Sequence, residues 1–450
     1  MLKFIKIFLI LLFFALFPKI ANSLTSSAYL VANAAIASFD YDTATKYFIN
    51  YDYEDSSIAG LRKKIISYIN SNKIQEANLI AKQLILLDNN NEDAWLVLLT
   101  FALLNNDFSA IRKFEKLSDK KKYTIIDYVF YKNGPLEKNN GDIAERLFNL
   151  VQEKDLSILY YPNNTEMDYP KNIDYYLFYL NLALNFKPQF NEVFFIQAQV
   201  FQELQYYIKA EEIYNKIQPQ HSLYIEAQKF IVVNKKINNK FYEAEKLLIK
   251  LVELFPDNKS LIVLLADLYR TNKQFGKAIE LYTSLIKNKL MNDDQLWRFY
   301  YLRGICYERS NQWKKAENDF LHALEIEPEH PQVLNYLAYG WIEKNFHLDR
   351  SIKMLEIAVN KNPKSHYILD SLAWAHYKKN NLSTAVEIME EVIEIAPGEA
   401  ISLDHLGDIY FSIGRKREAQ FMWIQALDLA EPEDNISESI QIKLDQHNAG

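Results

Sequence analysis

The sequence predicts an all-α fold, an α-solenoid superhelix built from tandem helix-turn-helix repeats. The first observation is composition: the 450 residues include only 10 Gly and 12 Pro but 49% hydrophobic residues, so turn-forming residues are few and packing surface is plentiful. The second is proline spacing. Late in the chain the prolines recur at intervals of 35, 34 and 35 residues, at Pro328, Pro363, Pro397 and Pro432. A fixed period near 34 residues indicates stacked helical repeats rather than independent domains.

One repeat shows which residues recur within the period. Counted from Trp297, positions 8, 11, 20, 24, 27 and 32 hold Gly304, Tyr307, Ala316, Phe320, Ala323 and Pro328. Small residues at positions 8 and 20 let the two helices of a repeat approach closely, and proline at position 32 ends the second helix. This pattern resembles the tetratricopeptide repeat (TPR).

Extending the period of about 34 residues from that repeat toward both ends of the sequence divides the chain into regions. Residues 191–432 are predicted to hold seven tandem TPR repeats, and residues 24–152 to hold degenerate N-terminal TPR-like helical repeats. Between them, 153–190 is predicted to be an irregular joint followed by a helix, because the periodicity lapses there. Residues 433–450 are predicted to form a C-terminal capping helix and tail, in which Ile436, Ile440 and Leu444 would cover the last open apolar face.

The first 23 residues are predicted to be a signal peptide. Lys3 and Lys6 precede an apolar run over 7–17, and small residues at 21 and 23 suit cleavage before Leu24. The run is too short to span a bilayer, which needs about 20 apolar residues. The alternative is an uncleaved N-terminal anchor. With that anchor, the chain would be a structural component of an envelope export or assembly machine, contacting lipid or glycan.

Three segments are more specific than the general repeat pattern: 334–339 (LNYLAY), 369–374 (LDSLAW) and 404–408 (DHLGD). They resemble the C-terminal half of long secreted bacterial envelope TPR proteins, a group that includes adaptors of carboxyl-terminal processing proteases. The resemblance implies a non-enzymatic protein-protein interaction scaffold or adaptor. It implies export across the inner membrane to a periplasmic or envelope-associated location, and it implies proteins as partners, among them an envelope protease or its substrates. The lipoprotein anchor of some relatives has no counterpart here, since Cys306 is the only cysteine.

The resemblance also predicts which residues bind a partner. In TPR proteins positions 2, 5, 9, 12 and 13 of the first helix of each repeat line a concave groove. The predicted partner-binding residues at these positions are Tyr301, Asn335, Tyr339, Asp370, Trp374, Tyr377, Asp404 and Asp408. Aromatic rings beside Asn and Asp suit an extended peptide or a partner helix, and the acidic C-terminal end favours neutral or basic segments. The alternative is that several of these rings pack against neighbouring helices.

Nothing in the sequence predicts chemistry. The formal net charge of −7 disfavours nucleic acid as a partner. The best catalytic or metal-binding candidate is Asp404, His405 and Asp408, but on a helix His405 points about 100° away from Asp404. No HExxH motif, paired CxxC motif or Gly-rich phosphate loop occurs. We therefore predict no catalytic residue, metal or cofactor, and we expect Cys306 to be a small buried hydrophobic residue.

Overall fold

The computed structural model describes residues 24–50, 57–118, 124–131, 136–152, 169–287, 295–432 and 434–448. Within those ranges every regular element is a helix, and the predicted all-α solenoid of tandem helix pairs is confirmed. The predicted signal peptide, 1–23, and residues 153–168 of the predicted joint lie outside the described residues. Contacts divide the chain into two compact units, 1–234 and 235–450.

The first unit consists of helix pairs followed by a longer helix and further pairs. Its helices are α1 (Leu24–Ala37), α2 (Tyr41–Asn50), α3 (Ile58–Asn70), α4 (Ile74–Leu87), α5 (Glu92–Leu104), α6 (Phe108–Ser118), α7 (Thr124–Ile126), α8 (Asn140–Gln152), α9 (Tyr169–Phe186), α10 (Asn191–Glu203), α11 (Tyr207–Tyr214) and α12 (Tyr224–Ile237). A π-helical turn, Asp127–Tyr131, continues α7, and α12 crosses the boundary between the two units.

Helix α9 forms the centre of the first unit. It packs against α8 and also against α3 and α5, which are the first helices of two N-terminal pairs. Phe178, Tyr179, Leu180, Leu182 and Ala183 are all completely buried, so this stretch of α9 is enclosed by its neighbours on more than one side. In these two N-terminal pairs, α9 therefore covers one side of each first helix, α3 and α5.

The second unit contains the repeats with the clearest period. Its helices are α13 (Phe241–Leu254), α14 (Lys259–Thr271), α15 (Phe275–Lys287), α16 (Leu296–Arg309), α17 (Trp313–Ile326), α18 (Pro331–Glu343), α19 (Leu348–Lys361), α20 (His366–Lys378), α21 (Leu382–Ile395), α22 (Ala400–Ser412), α23 (Lys416–Leu429) and α24 (Ser437–Asn448). From α14 to α23 they form antiparallel pairs of a first and a second helix, as the period predicts.

Turns between paired helices contain a residue with a left-handed backbone, commonly asparagine. Examples are Asn311, with a φ of 58°, and Asn380, with a φ of 63°. Asparagine tolerates this conformation better than most residues because its short amide bonds locally. The turn before α19 has two such residues, Asn345 and His347, at the place where the sequence is one residue longer than in the other repeats.

The small residues at position 8 are required by close packing between paired helices. A Cβ added to Gly304 would lie 2.6 Å from Cε1 of Phe320, and one added to Gly407 would lie 2.4 Å from Nε1 of Trp423. Real Cβ atoms do not approach so closely without displacing a neighbour. The sequence prediction that these positions allow close helix approach is confirmed.

Helix α24 covers the end of the second unit. Ile440 and Leu444 are buried in a cluster that contains Tyr410 and Trp423, and Ile436 is partly buried against the same cluster. This spacing places one apolar stripe against the last helix pair. Among the described residues, the helices are all too short or too polar to cross a membrane.

Candidate functional site

The predicted partner-binding residues lie on the first helices of four consecutive repeats. Tyr301 is on α16, Asn335 and Tyr339 are on α18, Asp370, Trp374 and Tyr377 are on α20, and Asp404 and Asp408 are on α22. Helix α18 contacts α20, and α20 contacts α22. We call the surface that these eight residues share the A-helix face.

Trp374 is enclosed in a stack of rings that joins two repeats. Its indole stacks on the His405 imidazole, with ring centroids 4.0 Å apart, and on the Tyr377 ring, with centroids 4.7 Å apart. Its Nε1 donates a hydrogen bond to Glu343 Oε1 at 2.8 Å, and only 6% of the residue is exposed. Most of the ring therefore packs internally, which is one of the two alternatives that the sequence leaves open. Binding of a partner by Trp374 stays a prediction.

His405 forms an ion pair with a residue of the preceding repeat. Its Nδ1 lies 3.2 Å from both carboxylate oxygens of Asp370, and both residues are 7% exposed. Burial opposes protonation of His405, but the charge and hydrogen bond of Asp370, with smaller contributions from Asp404 and Asp408, outweigh it and raise the pKa of His405. The His405 imidazole is therefore paired with the Asp370 carboxylate rather than available to a ligand. The two residues are 35 apart, about one repeat, which fits a contact between neighbouring repeats, but this spacing alone does not single out the pair.

Asp404 and Asp408 share one side of α22, as their spacing predicts, and a lysine from α24 lies between them. Lys443 Nζ is 2.7 Å from a carboxylate oxygen of each. Trp423 Nε1 also donates to Asp408 at 3.0 Å. Burial lowers the pKa of Lys443, but the two carboxylates outweigh burial and raise it above its ordinary value. Lys443 thus offsets part of the negative charge at the acidic end of the A-helix face, through a contact that sequence reasoning missed.

Asn335 differs from the other polar residues of the A-helix face. It is 8% exposed, and its side-chain oxygen is buried without accepting a hydrogen bond from any part of the chain that the structure describes. Leaving a buried acceptor unsatisfied costs about 1–3 kcal/mol. Asn335 therefore holds a buried acceptor whose hydrogen-bonding capacity the described part of the chain leaves unused.

Tyrosines border Asn335 along the sequence and across the repeat. Tyr301 makes an edge contact with Tyr336, with centroids 5.5 Å apart. Burial raises the pKa of Tyr339, and the charges of Glu343 and Asp370 raise it further, so this phenol stays neutral. At position 2 of their repeats, Tyr367 and Ile401 each expose 41% of their surface. The A-helix face thus combines neutral rings, exposed apolar surface and one unsatisfied acceptor.

No group of three or more His, Cys, Asp or Glu residues is placed to hold a metal ion within the described ranges. Cys306 is buried. Burial raises the pKa of its thiol to about 12, with nearby Arg270 lowering it only in part. A thiol this difficult to ionise is a poor nucleophile.

Two segments match models of the tetratricopeptide repeat, residues 297–330 and 367–399, so the prediction that the chain contains TPR repeats is confirmed. The number and bounds of the other repeats stay a prediction. A TPR repeat-containing protein of Pseudomonas aeruginosa is 25% identical over 108 residues, which are 24% of this chain and 18% of that protein. Interferon-induced protein with tetratricopeptide repeats 2 of Cricetulus griseus is 29% identical over 125 residues, 26% of each chain. The chain therefore matches only about a fifth to a quarter of the length of these relatives.

Two solved structures are similar over larger parts of the chain. A tetratricopeptide repeat protein from Parabacteroides merdae has 18% identity and a TM-score of 0.46, covering 57% of this chain and 98% of that one. Yeast Tom70 has 15% identity and a TM-score of 0.40, covering 95% of this chain and 96% of that one. TPR proteins generally mediate protein-protein interactions.

Proposed function

We propose that the chain is a protein-binding scaffold, without chemistry of its own, whose A-helix face receives an extended segment of a partner protein. The observation that carries this proposal is the buried side-chain oxygen of Asn335, which accepts no hydrogen bond from a described residue. A backbone N–H of a bound segment would satisfy it. That hydrogen bond would form only on binding, and its position would set the register of the segment.

The surroundings of Asn335 support a peptide as the ligand. Tyr301 and Tyr339 supply neutral rings with few rotatable bonds, which contribute contact area at small entropic cost. Exposed surface on Tyr367 and Ile401 extends the apolar contact along the same face. Such a combination of apolar area and a few polar groups is typical of protein interfaces.

The charges of the A-helix face favour a neutral or basic segment. Among the described residues, the three carboxylates of Asp370, Asp404 and Asp408 form ion pairs with two cationic partners, His405 and Lys443. A free carboxylate placed near these residues would meet net repulsion. We expect partner segments that carry lysine or arginine rather than an acidic C-terminus.

We further propose that the scaffold works in the bacterial cell envelope as an adaptor, with an envelope protease or its substrates among its partners. This proposal rests on the signal-like composition of residues 1–23 and on segments 334–339, 369–374 and 404–408. Fractionation of cells that produce the full chain tests the location. Recovery in the cytoplasmic fraction with an intact N-terminus would contradict it.

The binding proposal is tested by affinity capture with residues 24–450 from an envelope extract of the producing organism. Three forms are compared: the parent, Asn335→Leu, and Asn318→Leu as a control that changes an exposed amide on α17. We expect a discrete protein that the parent and the control retain and Asn335→Leu loses, with circular dichroism showing that all three forms are folded. Equal capture by all three would contradict a role for the A-helix face.

A further inference from the structure

A second candidate binding site is a cavity of about 670 Å³ in the first unit. It is bounded by the turns that follow α1 and α3, by α9, and by α10 and α11. Its polar lining includes Asn70, Asn181, Gln197, Lys209, Asp40 and Glu212. The volume lies in the range of about 300–1,000 Å³ that is usual for ligand pockets.

Three side-chain amides form a continuous line along one wall. Gln197 Nε2 donates to Asn181 Oδ1 at 2.9 Å, and Asn181 Nδ2 donates to Asn70 Oδ1 at 3.0 Å. Asn70 Nδ2 in turn donates to the carbonyl oxygen of Asp174 at 3.0 Å. The second N–H of Asn70 bonds to the Tyr41 hydroxyl. Asn181 and Gln197, however, each carry a second N–H, and each amide oxygen has a second lone pair. The line can therefore both donate to and accept from a ligand, which is the hydrogen-bonding pattern of a peptide backbone.

Lys209 forms a second wall. Its ammonium donates to the carbonyl oxygen of Phe39 and lies 4.5 Å from the centroid of the Phe201 ring. Burial lowers the pKa of Lys209. The negative charges of Asp40, Asp42 and Glu212 raise this pKa but only partly offset the effect of burial. An ammonium has three donors, so those not used by Phe39 require an acceptor such as a ligand carbonyl.

The charges and rings of the cavity exclude other ligand classes. The lining holds three carboxylates, Asp40, Asp42 and Glu212, against two ammonium groups, Lys209 and Lys216. Its formal charge is therefore negative and disfavours a phosphate or another anion. Phe39, Phe194 and Phe201 are only 3–6% exposed, so they offer little ring surface on which a sugar could stack. A wholly apolar ligand would leave the amide line and Lys209 without partners, which is unfavourable.

We propose that this cavity binds a short extended peptide that carries a lysine or arginine side chain. The peptide backbone pairs with the line of Asn70, Asn181 and Gln197. The cationic side chain lies among Asp40, Asp42 and Glu212, and a peptide carbonyl accepts from Lys209. This site uses none of the residues of the A-helix face, so it is independent of the function proposed above.

Isothermal titration of the full chain tests the proposal with three probes: a capped tripeptide with a central lysine, the same peptide with a central glutamate, and glucose. We expect the lysine peptide to bind and the glutamate peptide to bind at least about tenfold more weakly. Gln197→Leu removes one amide at similar volume and should weaken the lysine peptide by about tenfold or more. Asn185→Leu is the matched control, since Asn185 lies one turn from Asn181 on α9 but outside the cavity lining. The affinity of this variant for the lysine peptide should stay within about twofold of the parent's.

Glu212→Gln provides a second test that does not depend on the buried amides, because Glu212 is exposed and its change should leave folding intact. It should weaken the lysine peptide and leave a neutral tripeptide unaffected. The proposal is overturned if no peptide binds the folded chain, if glucose or the glutamate peptide binds as tightly as the lysine peptide, or if Gln197→Leu and Glu212→Gln both leave the affinity unchanged.

Discussion

The indole of Trp374 stacks on the imidazole of His405, with ring centroids 4.0 Å apart and ring planes 13° apart. On α20, one turn before Trp374, Asp370 supplies the carboxylate that lies 3.2 Å from His405 Nδ1. A protonated imidazole is stabilised both by an aromatic face and by a carboxylate. The junction between the repeats of α20 and α22 therefore depends on the charge of one histidine.

The stability of this junction should depend on pH. Because the folded-state pKa of His405 is raised, its contribution is fully present below its unfolded value of about 6.5 and is lost as pH rises through the folded value. Urea unfolding of the parent and His405→Gln between pH 6 and pH 9 should show their difference in unfolding free energy shrinking as pH rises. The control is His322→Gln, because that histidine is 54% exposed beside Glu325. A difference that stays constant over this range would contradict the prediction.

A second pH effect is expected in the first unit, at Asp174 on α9. Burial raises the pKa of Asp174 to about 6, while the hydrogen bond from Tyr41 and the charge of Lys63 lower it in part. Stability from this group is present below pH 3.8 and is lost as pH rises through about 6. Asp174→Asn should therefore be more stable than the parent at pH 7, by up to about 3 kcal/mol, and equal to it near pH 4.

Hydrogen exchange of the α9 backbone amides measures this effect locally. Protection in the parent should fall between pH 4 and pH 7 after correction for intrinsic exchange, and protection in Asp174→Asn should not. Asp142→Asn on α8 is the control, since Asp142 is exposed. Lower protection of Asp174→Asn than of the parent at pH 7 would sink the prediction.

The repeat architecture was predictable because its signal is local and periodic. Gly304 and Ala316 lie at fixed positions in a period that also fixes Phe320, so packing within one helix pair can be read from one stretch of chain. The pairing of Asp370 with His405 joins residues one repeat apart, and that of Asp404 with Lys443 joins residues 39 apart. Such contacts depend on how neighbouring repeats stack, which the pattern of any one repeat does not determine.

Other features depend on tertiary packing alone. The sequence predicts a helix in the second part of 153–190, but Asn181 on that helix bonds to Asn70, 111 residues earlier, and no sequence pattern connects the two. The same limit applies to Trp374. An aromatic residue at its position in the repeat can either line the groove or pack between helices. Trp374 is buried because its ring stacks on His405 of the next repeat, and this contact could not be read from its own repeat.

Gly407, at position 8 of its repeat, and Gly276, the second residue of α15, should respond oppositely to substitution by alanine. Gly407→Ala places a Cβ 2.4 Å from Nε1 of Trp423 and should destabilise the second unit by roughly 1–3 kcal/mol. Gly276 lies in α15 with nothing within 4 Å of an added Cβ, so Gly276→Ala should stabilise by roughly 0.5–1 kcal/mol through helix propensity. Thermal unfolding of both variants measures the contrast. If the two variants change the stability by similar amounts, helix propensity rather than the contact with Trp423 determines the effect of Gly407→Ala.

Cys306 should react with thiol reagents only when the chain unfolds. Its side chain is fully buried, and burial raises its pKa to about 12, so thiolate is scarce and inaccessible. Labelling with a disulfide reagent at pH 8 should be slow in buffer and immediate in denaturant. Stoichiometric labelling in buffer without loss of helical signal would contradict this.

Lys443 should hold α24 against the last repeat. Its ammonium is the cation that lies between Asp404 and Asp408, whose side chains are 10% and 18% exposed. Lys443→Met keeps the length of the side chain but leaves two carboxylates facing each other without the ammonium, and it should destabilise by roughly 1–3 kcal/mol. The effect should appear first in α24, because its other anchors are only Ile440 and Leu444 with the partly buried Ile436.

The control for Lys443 is Lys379→Met. Lys379 forms an ion pair with Asp349, and both side chains are exposed, so its loss should leave the unfolding free energy unchanged within error. Adding Asp404→Asn to Lys443→Met removes one of the two facing charges and should restore part of the lost stability. If the double variant is no more stable than Lys443→Met, repulsion between Asp404 and Asp408 is not the cause, and the ammonium acts through its packing against Trp423, whose ring centroid lies 5.7 Å away.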